Sequence, residues 1–284
     1  MPLDQMDIDN YDPTSQQEQG EKEMSFLDHL EELRWHLIRA VIAIIVVSIA
    51  LFIFKDFVFD HVVYGPRQES FLTYKVFCNI SHAIGMGDKL CMKPIEFVVQ
   101  GLELGENFIM HIKITFILGF IVAFPYIFWE IWRFLKPGLY TEEVNATRGI
   151  VFVCSILFGM GVLFGYYIIT PFAMNFLAGY DLGTAEDVKI TKLSSYINYL
   201  TMFILPAGVI FELPMVVLLL TKLGLLTPQL MKTYRKHAIV GILILASIIT
   251  PPDVVTQFLI GIPLYILYEI SISVSAITLK KEAA

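Results

Sequence analysis

The chain has 284 residues, a hydrophobic fraction of 56%, a mean hydropathy of +0.66 and only 17% charged residues. Those values exclude an ordinary soluble domain and describe an integral membrane protein. The net charge of −7 is a local effect: Asp4, Asp7, Asp9, Asp12, Glu18, Glu21 and Glu23 precede Ser25 against Lys22 alone, the remainder is nearly neutral, and nothing suggests nucleic-acid binding.

Residues 1–24 are polar and acidic, with no basic n-region and no apolar h-region, so they read as a disordered tail and not as a signal peptide. SFLDHLEELRWHL follows. Ser25 and Asp28 form an S-x-x-D helix start. Phe26, Leu30, Leu33 and Leu37 share one stripe at helical spacing, with Asp28, His29, Glu32 and His36 on the other side. This predicts an amphipathic surface helix running into the first span, its polar face solvated. His29, Glu32 and His36 match no standard zinc spacing, and no metal is expected there.

The apolar runs predict helices, not barrel strands. Spans are expected at about 35–54, 114–132, 149–170, 200–220, 237–250 and 258–279, ending in a short tail at 281–284. Arg39 lies near the start of the first span and can snorkel to the interface. Between the first two spans, PIEFVVQGLELGENFIMHIK reads as interfacial helix. Pro125 interrupts the second span, and Phe128, Trp129 and Trp132 form an aromatic belt at its end. Pro171 is expected to stop the third, which carries Gly161 and Gly165 at G-x-x-x-G spacing. Thr227 and Pro228 start the helix after the fourth span. The fifth is short for a span, which needs about 20 residues, so a re-entrant pair stays open.

Near the middle of the fourth span sits Glu212, roughly 18 Å along the helix from its start. An acid at that depth costs about 2.5–3.5 kcal/mol on insertion scales, which points to use. Pro206 and Pro214 flank it and strip partners from nearby carbonyls; Gly208, one turn earlier, opens the same face to another helix.

Arg133, Lys136 and Arg148 lie in one short loop, and Lys222, Lys232, Arg235 and Lys236 in another; the opposite loops hold Lys189 and Lys192. The positive-inside rule then puts both termini in the cytoplasm. Cys78 and Cys91 share the first outer loop and are placed to pair if it faces an oxidising compartment, while Cys154 lies in the third span as inert packing.

No G-x-S-x-G, H-E-x-x-H or Walker motif is present, so no enzyme and no cofactor are expected. The remaining polar features point to binding: the acidic surface helix, Glu142 and Glu143 in a loop, and Glu212.

HLEELR at 29–34, FPYIFWEIWRFLKPGLYTEE at 124–143, FGYYIITPFAMNFL at 164–177, FELP at 211–214 and TPPDVVTQ at 250–257 resemble, in order, the TatC family, the multispanning receptor subunit of the twin-arginine protein translocase. The resemblance spans about residues 25–280. It implies an all-α, cup-shaped bundle of six transmembrane helices in the bacterial inner membrane, with cytoplasmic termini. It implies binding of the twin-arginine signal peptides of folded cargo, assembly with TatA- and TatB-type single-span proteins, and transport driven by the proton-motive force. Further copies of the chain are left open as partners. By position, the resemblance gives signal-peptide contacts to Glu32, Arg34, Phe134 and Glu143, a partner contact to Glu212, and outer-turn and last-span roles to Asp253 and Gln257. Two departures stand out: Val144 and Asn145 replace the basic residues common after the Glu143 position, and His36 stands where a basic residue is common. The alternatives from other classes are a proton-coupled secondary transporter using Glu212, which would normally show internal repeats that this chain lacks, and a structural scaffold.

Overall fold

The computed structural model describes residues 26–85, 87–91, 98–135, 147–179, 190–249 and 254–282. The chain is an all-α, polytopic membrane protein. Helix α1 (Phe26–Ile53) is continuous from the predicted surface segment through the first apolar run. α2 (Leu72–Ala83) and strand β1 (Val98–Gln100) follow, then α3 (Glu106–Leu135). α4 (Thr147–Phe164) passes through a π-turn at Gly165–Ile169 into α5 (Thr170–Gly179). Strand β2 (Ile190–Lys192) leads into α6 (Leu193–Ile210) and α7 (Leu213–Lys222), which together carry the fourth apolar run. α8 (Pro228–Thr233), α9 (Arg235–Ile249) and α10 (Val254–Glu282) complete the chain.

Five apolar segments among the described residues are long enough to cross a bilayer: 31–53, 106–134, 149–179, 193–222 and 256–280. α9 has only 15 residues, about 22 Å at 1.5 Å per residue, against a hydrocarbon core of about 30 Å. The long segments pack in series: α1 on α3, α3 on α4, α4 on α6, and α10 on both α7 and α9. Half of the most apolar stretch of the fourth segment is buried, against 17% in the first. The fourth is therefore the centre of the bundle, and Tyr196, Ile197, Leu200 and Phe203 of α6 lie in its main core.

Three expectations are corrected. The described part of the stretch expected as interfacial helix divides in two: Val98–Gln100 is a strand that pairs in parallel with Ile190–Lys192, and only residues 106–113 are helical, as the first turns of α3. Pro125 lies inside an unbroken helix. Pro171 does not stop the third segment either, because the partners it removes are replaced. Proline leaves the carbonyl four residues earlier without its helical donor; that carbonyl, Tyr167 O, accepts instead from the Thr73 hydroxyl of α2. The π-turn widens the helix at the same place, and Thr170 Oγ1 donates to Gly165 O at 2.8 Å.

The strand pair fixes which ends of the helices lie together. It joins the segment after α1 to the segment before α6, and Lys192 Nζ meets Glu103 Oε1 at 3.2 Å beside it. Buried Glu106 ties the same end: its carboxylate accepts from Leu102 N at 2.7 Å, from Glu103 N at 3.2 Å and from Ser194 N at 2.7 Å. One side chain thus satisfies free amides at the starts of both α3 and α6. In the same cap, Tyr74 donates to Pro66 O at 2.7 Å, and burial pushes its hydroxyl up to about 12.

The G-x-x-x-G pair of α4 is used within the chain. A Cβ at Gly161 would fall 2.6 Å from Ala207 O, and one at Gly165 would fall 2.9 Å from the Ile204 Cα. Gly208 answers from the other side, where a Cβ would meet Phe158 at 2.8 Å. The close approach expected at Gly208 is therefore taken by α4.

Candidate functional site: a polar cluster at one helix end and a carboxyl mid-bundle

At the end of the bundle opposite the strand pair, α1 and α3 form a polar cluster. Its centre is Glu130, only 1% exposed, facing His36, 7% exposed. His36 Nδ1 lies 2.5 Å from Glu130 Oε2. The Nη1 atoms of Arg39 and Arg133 each stand 4.0 Å from the same carboxylate, and the Tyr126 hydroxyl also hydrogen-bonds to it. Arg133 in turn lies over the Trp129 ring at 5.0 Å. A buried acid thus sits among one imidazole, two guanidiniums and a phenol, as a charge that leaves water must.

Two of the predicted signal-peptide residues border this cluster. Glu32 precedes His36 by one turn, with Oε1 at 3.9 Å from His36 Nε2 and a side chain 38% exposed. Phe134 meets the same imidazole edge-on, at 6.4 Å between centroids. His36 therefore joins an accessible carboxylate to an aromatic ring across two helices. Arg34 is exposed and, two positions from Glu32, points away from it. Glu143 lies outside the described residues.

The expectation of a solvated polar face is corrected at His36, which turns inward to meet Glu130. Arg39 does reach outward but stays beside the same acid. Glu130 itself was missed, although an acid within a predicted span was signal enough. Removing His36 takes away the shortest contact of a buried carboxylate but leaves Tyr126 and two guanidiniums near it. His36→Ala is therefore expected to cost about 1–3 kcal/mol, the range for one lost partner, and not the 3–5 kcal/mol of an orphaned buried charge. Unfolding in detergent checks this, and Glu130→Gln, which keeps the shape, is expected to lose less than Glu130→Ala.

The second feature is Glu212, at the break between α6 and α7. Its backbone accepts from Met215 N at 2.9 Å and Val216 N at 3.1 Å, so it caps α7. Its side chain is 8% exposed, and neither carboxyl oxygen has a hydrogen-bond partner among the described residues. The Cys154 thiol and the Phe158 backbone lie beside it without reaching hydrogen-bond geometry. Cys154 belongs to an apolar cluster with Trp132 and Met215, and Trp132 Nε1 is likewise buried without a hydrogen-bond partner among the described residues. An orphan acid and an orphan donor border one apolar cluster.

The remaining predicted residues lie elsewhere. Gln257 donates to Leu243 O at 3.2 Å and fastens α10 to α9; Asp253 lies outside the described residues. Cys78 and Cys91 are joined by a disulfide in the loop that carries α2. A ring of that size, about 14 residues, stabilises by roughly 3 kcal/mol in the chain-entropy model. Maleimide applied to the denatured, unreduced protein is expected to find Cys154 alone; labelling at both Cys78 and Cys91 overturns the pairing.

Residues 28–263 match the family profile of the Sec-independent protein translocase protein TatC. The chain belongs to the TatC family. The TatC of Blattabacterium sp. subsp. Periplaneta americana is 40% identical over 266 residues, covering 92% of this chain and 98% of that one. The TatC of Aquifex aeolicus is 32% identical over 259 residues, covering 91% and 98%. A crystal structure of the twin arginine translocase receptor TatC superposes with a TM-score of 0.65 at 32% identity, covering 88% of this chain and 99% of that one. A second, in DDM, gives 0.67 at 33% identity. Membership makes this chain a membrane-embedded component of a protein translocase, a transport protein.

Proposed function

We propose that this chain is the signal-peptide receptor and core of a twin-arginine translocase in a bacterial inner membrane. In this reading it takes folded cargo, assembles with TatA- and TatB-type single-span proteins, and works on the proton-motive force. The observation that carries it is that a half-exposed Glu32 and Phe134 both border His36, in a chain alike over nearly its whole length to solved receptors. A carboxylate suits a guanidinium, and an aromatic ring suits the apolar residues beside it. Arg133, Lys222, Lys232, Arg235 and Lys236 gather at the Glu32 end. That supports a cytoplasmic face there, cytoplasmic termini, and six crossings with α9 as a short one.

A photo-crosslinker at Phe134 is expected to capture an Arg-Arg precursor and not its Lys-Lys form, while one at fully exposed Leu104, at the opposite end, captures neither. Equal capture at both positions would reject the receptor reading. A proton-coupled transporter using Glu212 predicts instead that the purified chain is active alone in liposomes.

A further inference from the structure

The outer cap brings together four groups that the receptor reading does not use. α2 presents Cys78 and His82 one turn apart on the same face. The chain then reverses through Gly85 and Gly87, whose φ values of +79° and +60° few other residues tolerate. Among the described residues no atom beyond the chain neighbours lies within 4 Å of a Cβ at either position, so these glycines serve the turn. Ser81 Oγ donates to Gly87 O and closes the turn. The 3₁₀ turn Gly87–Leu90 then carries Asp88 back over α2, and Cys91 follows it.

One ligand-capable atom from each of Cys78, His82, Asp88 and Cys91 lies within 4.8 Å of all the others. His82 Nε2 is 3.2 Å from Asp88 Oδ1. Cys91 Sγ is 3.8 Å from His82 Nε2 and 3.8 Å from Asp88 Oδ1. Zinc bound at about 2.3 Å to sulfur and about 2.0–2.1 Å to nitrogen and oxygen, in tetrahedral geometry, separates its ligands by about 3.3–3.8 Å. Three of the pairs already stand near those separations. The two sulfurs, bonded to each other, must part by about 1.8 Å to reach theirs, a movement within reach of a χ1 adjustment, and the His82 and Asp88 ligand atoms lie within 4.8 Å of Cys78 Sγ. A disulfide accounts for both cysteines but not for the convergence of an imidazole and a carboxylate on one of the sulfurs.

We propose that the reduced cap binds one zinc-class divalent cation through Cys78, His82, Asp88 and Cys91. Disulfide and metal are then alternative closures of the same turn. A phosphine reductant takes the disulfide to two thiols, its phosphorus gaining oxygen from water. Zinc then displaces two thiol protons and is held by two thiolates, His82 Nε2 and an Asp88 oxygen. Reading Cys and His alone conceals the site, because its fourth ligand is an aspartate.

The test uses the full chain in detergent, reduced anaerobically with a phosphine and freed of excess reagent, with Zn²⁺ alone as the probe. About one equivalent is expected to remain bound per reduced chain, and none on the oxidised chain. The bound ion is expected to protect Cys78 and Cys91 from maleimide until a chelator is added. Co²⁺ in its place is expected to give thiolate-to-metal charge-transfer absorption. The double variant His82→Ala with Asp88→Ala is expected to weaken retention by more than about 100-fold, beyond the 10–100-fold of a lost outer-shell partner, while still re-forming its disulfide on oxidation. No zinc on the reduced wild type, equal retention by the double variant, or equal binding by the oxidised chain each overturns the site. If the double variant fails to re-form its disulfide, the cobalt spectrum of the wild type decides: a thiolate band upholds the site and its absence rejects it.

Discussion

Replacing Glu32 and Glu143 together with alanine is expected to abolish the preference for an Arg-Arg over a Lys-Lys signal peptide. Two adjacent guanidiniums offer planar forks of donors, and two carboxylates accept them; an ammonium offers the same charge without the fork. Hydrogen bonds to charged groups are worth about 1.5–3 kcal/mol each, or about 13- to 160-fold in affinity. Glu32 is partly solvated, so its single substitution falls toward the lower end of that range. The cluster beneath it explains why it stays available. Glu130 takes His36 at 2.5 Å, and the other imidazole nitrogen stands 3.9 Å from Glu32, too far to hold it tightly. Glu32 therefore keeps its acceptor capacity for an incoming arginine. Binding of both peptides to each single variant and to the double variant checks this. If the two peptides weaken equally, the acids shape the surface and do not read the arginines.

The same cluster shows what the sequence made legible. The apolar runs and the isolated acid at Glu212 stood out because bilayer thickness sets a length and hydrocarbon penalises charge, both readable along one helix. The partners of the buried groups were not readable in that way. His36 meets Glu130 across 94 positions, and Thr73 reaches Tyr167 across 94. Pattern analysis along one segment places His36 on the polar side of its helix, which is right, but cannot show that a second helix covers that side. The local chemistry of Pro171 is that of a stop; the donor that offsets it, Thr73, comes from α2. Helix ends also ran past the apolar runs. α3 begins at Glu106 because that carboxylate finds amides to bind, not because hydrocarbon begins there. The cysteine pair was legible from a shared loop, whereas His82 and Asp88 join it only once Gly85 and Gly87 turn the chain back.

Glu212→Ala is expected to lose both transport and crosslinking to single-span partners, while Glu212→Gln keeps most of each. The side chain sits at the break between α6 and α7, nearly buried, with no hydrogen-bond partner for either oxygen among the described residues. An unsatisfied acid there costs stability in the isolated chain, and a polar group on an arriving helix would relieve that cost. The approach is not through Gly208, whose face α4 already fills. The expected contact is therefore one of side chains, at the apolar cluster of Trp132, Cys154 and Met215, where the Trp132 indole nitrogen offers a second group with no partner among the described residues. Hydrogen bonds between membrane helices are worth about 0.6 kcal/mol on average and up to about 1.7. That corresponds to about 3- to 18-fold in the crosslinked fraction, weak enough to form and release in each cycle. Glutamine keeps the shape and both hydrogen-bonding roles but cannot ionise; alanine keeps neither. Crosslinking from Glu212-adjacent positions, measured beside transport, separates the two uses of the acid. A glutamine variant that recruits its partners normally yet transports nothing would show that ionisation, and not docking, is what Glu212 supplies.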